Sequence, residues 1–115
     1  MPPRFEASVR TERDATIIDL HGEIDSFAED ALQAAYADAE RRGSGRIILN
    51  FTDVSYINST GIALVVGLLA RARKTHRDLS AFGLSPHYIE IFQITRLVDF
   101  MQIAPNEASA LSTES

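Results

Sequence analysis

Apolar and polar residues alternate over residues 5–10, with Phe5, Ala7 and Val9 set against Glu6, Ser8 and Arg10. That period of two is the mark of a half-buried strand. A polar turn, Thr11-Glu12-Arg13-Asp14, separates it from a second strand at residues 15–20, rich in β-branched side chains. The pair predicts an N-terminal hairpin. His21-Gly22-Glu23-Ile24 breaks the pattern, and the period then changes to that of a helix. Over residues 27–42 the apolar positions Ala28, Leu32, Ala35, Tyr36 and Ala39 fall on one helical face. Asp25 or Ser26 can cap that helix, Glu29 stands where a capping box needs it, and Gly43 is a natural stop.

Residues 46–51 form a near-continuous apolar run, as in a central strand covered on both faces or crowded on one. Its predecessor is reached through a helix, so a parallel crossover is expected. A loop then leads into the stretch Val54-Ser55-Tyr56-Ile57-Asn58-Ser59-Thr60-Gly61-Ile62. Asn58 can accept a backbone N–H that the first helical turn leaves unpaired. Ser59 and Thr60 sit on that turn, where free N–H groups and the helix dipole favour negative charge. Ile62, Val65, Val66, Leu69 and Ala72 continue as a helical stripe, ending among Arg71, Arg73, Lys74 and Arg77. Four cations there either complement the dipole or offer a basic patch to an acidic partner.

Residues 79–82 are a short strand. Ser85 and Pro86 start a further helix, with Ile89 and Phe92 facing the core. A last short strand is expected near residues 100–103, and a terminal helix from Pro105-Asn106-Glu107 carries Ala108 and Leu111 as its apolar members. The order ββαβαβαβα is an α/β layer structure with helices on a mixed sheet. One domain over residues 1–115 is expected, with 111–115 as a frayed tail.

Composition narrows the chemistry. The chain has 115 residues, a net charge of −5 and no cysteine, which excludes disulfides, thiolate metal sites and cysteine nucleophiles. No basic cluster tracks a phosphate backbone, so nucleic acid is not an expected partner. No apolar run reaches the roughly 18–20 residues of a membrane span. Met1-Pro2-Pro3-Arg4 has no apolar signal core behind it, so the cytoplasm is the expected compartment. His21, His76 and His87 share no metal-ligand spacing, and neither metal nor cofactor is expected.

These residues resemble a family. Gly22-Glu23-Ile24-Asp25 before a helix, Asp53 followed by Asn58-Ser59-Thr60-Gly61-Ile62, and Leu84-Ser85-Pro86 with Phe92 and Leu97 look like the STAS domain of bacterial anti-sigma factor antagonists. The resemblance runs over about nine tenths of the chain. It implies a mixed sheet with helices mainly on one face. It also implies that Ser59, less so Thr60, is phosphorylated by a partner anti-sigma factor that is a serine kinase, with a PP2C-type phosphatase to reset it. Glu23, Asp25, Asn58, Ser59, Thr60, Gly61 and Ile62 would form the partner surface. One position departs: the family's acidic residue before the acceptor is Asn58 here, which keeps the capping oxygen and drops a negative charge.

Each feature also has a plainer structural use. Ser59 and Thr60 are ordinary helix-starting hydroxyls, and Gly61 either bares a surface or packs closely against a neighbouring loop. Glu23 and Asp25 sit at a helix start, where carboxylates are common, and no nucleophile is tied to them for acid–base work. The expected function is therefore that of a binding module, not an enzyme. The alternative is an interaction subunit of a larger assembly, such as a lipid-transport ATPase or a stress-signalling complex, without phosphorylation.

Overall fold

The computed structural model describes residues 4–43 and 45–112. Strand β1 (Phe5–Glu12) turns through Arg13 and Asp14 into β2 (Ala15–Ile24), and a 3-10 turn, Ser26–Ala28, leads to helix α1 (Glu29–Arg41). Strand β3 (Arg46–Ile57) feeds helix α2 (Ser59–Lys74). Strand β4 (Leu79–Phe82), helix α3 (Pro86–Ile94), a second 3-10 turn (Leu97–Asp99), strand β5 (Gln102–Ala104) and helix α4 (Glu107–Ser112) follow.

The sheet is mixed, in the order β1-β2-β3-β4-β5. The β1–β2 pair is antiparallel, and β2–β3, β3–β4 and β4–β5 are parallel. Parallel neighbours laid down one after another, with crossovers of one hand, bring every connecting helix to the same face. The larger core lies there: Ile18, Leu20, Ile47, Leu49 and Phe51 pack beneath Leu32, Tyr36, Val65, Leu68 and Phe92. The smaller cluster, Ala15, Ile17, Ile48, Phe82 and Ala104, lies apart from it and meets Ala110 of α4. Helix α4 closes that second face, with Leu111 packed beside Ala110. An Arg10 guanidinium ties it down, giving two hydrogen bonds to Asp19 (2.7 and 3.2 Å) and two to Glu107 (2.6 and 3.1 Å).

The five apolar positions expected of α1 are all buried. Other expectations change in the structure. Strands β2 and β3 both run past their expected ends, to Ile24 and Ile57. Two register shifts, after Asp19 and after Gly22, interrupt their pairing. Each bulge throws the inside–outside alternation out of phase, so the extended segment reads as a loop. The first helix begins with a 3-10 turn, and Phe27, taken as its first residue, is 77% exposed. On α2 the buried stripe takes Leu68, and Val66 is exposed. Strand β5 lies at Gln102–Ala104, slightly later than expected. In α4 the buried residue is Ala110, not Ala108. Ser85 holds the N-cap position of α3 without a side-chain cap bond. Leu111 and Ser112, expected in a frayed tail, belong to α4, with Leu111 packed on the smaller core. The rest of that tail, 113–115, and the first three residues lie outside the described segments.

Candidate functional site

The parallel pair β2–β3 ends at one rim of the sheet, with Ile24 opposite Ile57. Both chains turn there into helices, so the two motifs picked out in the sequence meet. Three local features shape the junction. The Asn58 N–H donates to the Ile24 carbonyl at 3.2 Å. The Asn58 side-chain oxygen accepts the Gly61 N–H at 2.8 Å, capping α2 from an extended backbone (φ −91°, ψ −176°). Gly61 itself is buried, and a Cβ there would stand 2.1 Å from the Ile24 carbonyl oxygen. Its missing side chain serves close packing of α2 on β2. A bare, approachable surface is not what Gly61 provides.

Beneath the turn, the Ile57 N–H donates to the Tyr88 hydroxyl at 2.8 Å, so α3 braces the end of β3. Phe51 and Phe92 meet edge to face a little deeper, at 6.1 Å. On this support Ser59 and Thr60 are both exposed, Asn58 is half-buried and Ile62 partly buried. The first two N–H groups of a helix have no partner within it, so those of Ser59 and Thr60 point outward.

The β2 side of the rim is a small charge network. Asp25 is buried, and its two oxygens are both used. One accepts the Phe27 N–H at 2.9 Å, and the other accepts from Arg4 at 3.0 Å. Arg4 also donates to Glu23 at 3.0 Å, and its guanidinium lies 5.2 Å from the Phe27 ring centre. Hydrogen bonding to Glu23, and then the charge of Asp25, raises the Arg4 pKa above its ordinary value. Asp25 thus shapes the loop, while Glu23 holds the Arg4 guanidinium at the solvent edge. Gly22 makes the approach feasible: its φ is +102°, and a Cβ would meet the Arg4 carbonyl at 2.0 Å.

Three residues join the site that the sequence motifs had not marked: Arg4, Phe27 and Tyr56. Phe27, in the 3-10 turn that follows β2, and Tyr56, next to the last residue of β3, are exposed aromatics, 77% and 51%. Exposed aromatic rings beside a polar rim are typical of protein-binding surfaces. The hairpin register was a usable signal for Arg4. Pairs stepping outward from Glu12 opposite Ala15 arrive at Phe5 opposite Gly22, with Arg4 next, beside Glu23.

The basic residues at the far end of α2 divide. Arg71 turns back to α1, bonding Glu40 and Gln33 and covering the Tyr36 ring. Arg77 donates to the carbonyls of Gly43 and Gly45. Among the described residues, no group of three His, Cys, Asp or Glu side chains is placed to hold a metal ion, and no helix is long and apolar enough to cross a membrane.

Comparison with known proteins agrees with this geometry. The family model of the STAS domain matches residues 6–110. An anti-sigma-B factor antagonist of Listeria monocytogenes is 33% identical over 94 residues, covering 80% of this chain and 82% of its own. One from Staphylococcus aureus is 30% identical over 86 residues, covering 75% and 80%. Among solved structures, an anti-sigma factor antagonist of Mycobacterium paratuberculosis superposes with a TM-score of 0.81 over 94% of this chain and 92% of its own, at 17% identity. The Bacillus cell fate determinant SpoIIAA, solved in a phosphorylated form, superposes with a TM-score of 0.69 over 91% and 96%, at 27% identity. With its mixed sheet, its helices gathered on one face and a family match over almost its whole length, the chain belongs to the STAS domain family.

Proposed function

We propose that this protein is an anti-sigma factor antagonist, and that phosphorylation of Ser59 switches it off. Its partner would be an anti-sigma factor that is also a serine kinase. The observation that carries the reading is the exposed Ser59 hydroxyl on the first turn of α2, on a rim shared with Glu23, Phe27 and Tyr56. The names of its relatives support the antagonist role, and the phosphorylated Bacillus structure supports the modification. In the free form the rim docks on the partner and removes it from a sigma factor. The kinase transfers the γ-phosphoryl of ATP to Ser59 Oγ, a base of the kinase takes the hydroxyl proton, and ADP leaves. A PP2C-type phosphatase reverses the change.

The physics favours a surface switch. A phosphate brings about −1.5 to −2 charges and three acceptor oxygens. At Ser59 it meets outward N–H groups and the positive end of the α2 dipole, so the domain tolerates it. The same charge added to a fitted interface brings repulsion and a desolvation cost. Asn58, uncharged, adds no repulsion of its own to the incoming phosphate.

The test is calorimetric titration of the anti-sigma factor with Ser59→Ala and Ser59→Asp, alongside mass spectrometry of protein from its native cells. The alanine variant should bind as the parent does, and the aspartate variant at least tenfold more weakly. Phosphate on the Ser59 peptide should vary with growth condition. Equal affinities and a peptide unmodified through stress and starvation would refute the switch, leaving a constitutive interface in a larger assembly.

A further inference from the structure

A second surface lies at the other end of α2. Val66, Leu69 and Ala70 on the helix and Leu97 and Phe100 beyond α3 line an open apolar groove of about 450 Å³, with Arg73 on its edge. Past Arg73 and Phe100 the groove continues into a cavity of about 640 Å³ that His76 and Arg77 also line. Val66 and Phe100 are 44% and 54% exposed. Exposed apolar side chains gathered on one concave strip mark an interaction site, whereas scattered ones do not.

Charge identifies the occupant. The chain carries a net −5, yet Arg73, Arg77 and Arg96 line the groove and the cavity, and Lys74 follows Arg73 at the exposed end of α2. Arg96 is paired with Asp99 at 2.7 Å, and Arg77 is spent on loop carbonyls. Arg73 lies 4.7 Å from the Phe100 ring centre. Among the described residues neither Arg73 nor Lys74 pairs with a carboxylate, so both remain open to one supplied from outside. Asp78 is the one acid among the described residues that line the cavity. A second copy docked symmetrically on this strip would face these cations with themselves, which disfavours a dimer.

We propose that the strip is a second docking surface, which takes an acidic amphipathic segment of a partner protein. Apolar side chains of the segment fill the groove, and its carboxylates meet Arg73 and Lys74. Ser59 and Arg73 lie fourteen residues apart on α2, roughly 21 Å at helical rise. The groove itself starts at Val66, seven residues or roughly 10 Å along α2 from Ser59, so a phosphate on Ser59 stands clear of the cations at Arg73 and Lys74.

The test uses a labelled, end-blocked peptide of about fourteen residues with leucines spaced i, i+3, i+4, i+7 and glutamate elsewhere. Binding is followed by fluorescence anisotropy and by 15N–1H chemical-shift mapping. Shifts should cluster at Val66, Ala70, Arg73 and residues 95–100. Phe100→Ala and Arg73→Glu should each weaken binding at least tenfold, with unchanged spectra elsewhere to show that both fold, since a desolvated aromatic anchor and its charge partner dominate such contacts. Arg73→Lys should retain most of the affinity, and Ser59→Asp should change nothing. Equal binding of a lysine-for-glutamate peptide would overturn the proposal. So would shifts centred on Ser59, indifference to Phe100→Ala, dimerisation through the same residues, or equal uptake by anionic vesicles. None of these outcomes bears on the Ser59 switch, which is read against a different partner.

Discussion

Helix α2 contains two glycines, and alanine at each should move stability in opposite directions. Gly67 lies on the exposed face, and a Cβ there meets nothing within 4 Å. Glycine inside a helix costs about 0.5–1 kcal/mol relative to alanine, so Gly67→Ala should stabilise by that amount. Gly61 should gain the same propensity and lose more. Its new Cβ would sit 2.1 Å from the Ile24 carbonyl oxygen and 2.8 Å from Ile57 Cγ2, where ordinary contact begins near 3.4 Å. The obstacle is backbone, so α2 must lift from β2 by more than 1 Å, stretching the Asn58–Ile24 bond of 3.2 Å. Overpacking of this kind costs typically 1–3 kcal/mol. Set against the propensity gain, the net loss should be about 1–2 kcal/mol. For a chain of this size roughly 4 °C of Tm follows each kcal/mol, so Gly61→Ala should melt about 4–8 °C lower and Gly67→Ala about 2–4 °C higher. Differential scanning calorimetry of both variants decides it. A Gly61→Ala protein that melts higher, as Gly67→Ala should, would show that α2 does not rest on the Ile24 carbonyl.

Two further substitution and pH tests follow from the same geometry. Asn58→Ala removes the α2 cap and should cost about 1 kcal/mol in urea unfolding, whereas Asn58→Asp keeps an acceptor oxygen and should cost little. The Arg10 hub sets an acid limit. Glu107 is held below the ordinary carboxylate range, mainly by its hydrogen bond to Arg10. For Asp19, burial pushes the pKa up, but hydrogen bonds from Arg10 and Asn50 outweigh it and the net shift is downward. A carboxylate depressed in the folded state stabilises fully above its unfolded pKa, about 4, and loses that contribution as pH falls through its folded value. Urea midpoints should thus fall below about pH 4, and Arg10→Ala should flatten that limb while lowering the plateau. An acid limb unchanged in Arg10→Ala would refute the assignment.

Period and capping made much of this architecture legible. The α1 stripe, the Asn58 cap and the Ser85–Pro86 start each depend on neighbours a few positions away, which a sequence displays directly. What failed was non-local. Residues 52–57 read as a loop because two bulges, fixed by pairing with β2, break the alternation. Val66 read as core because helical spacing cannot say how wide the covered face is, and α2 leaves that side open toward the groove. At the site, Asp25, Asn58 and Ser59 stood out through their turn chemistry. Phe27 and Tyr56 did not, because exposure is decided by what the rest of the chain leaves uncovered.

The Asn58–Ile24 bond and the packing of Gly61 on that same carbonyl anchor the segment proposed as the switch to the rim of the sheet, at the ends of the interior strands β2 and β3. A segment so fastened gives up little conformational freedom when it is gripped, so association need not wait for a loop to order itself. Such encounters run near the rate set by diffusion and orientation, and charge at the rim can tune that rate directly. Under the switch proposed for Ser59, the response time of the domain would follow from how quickly other enzymes write and erase a single charge.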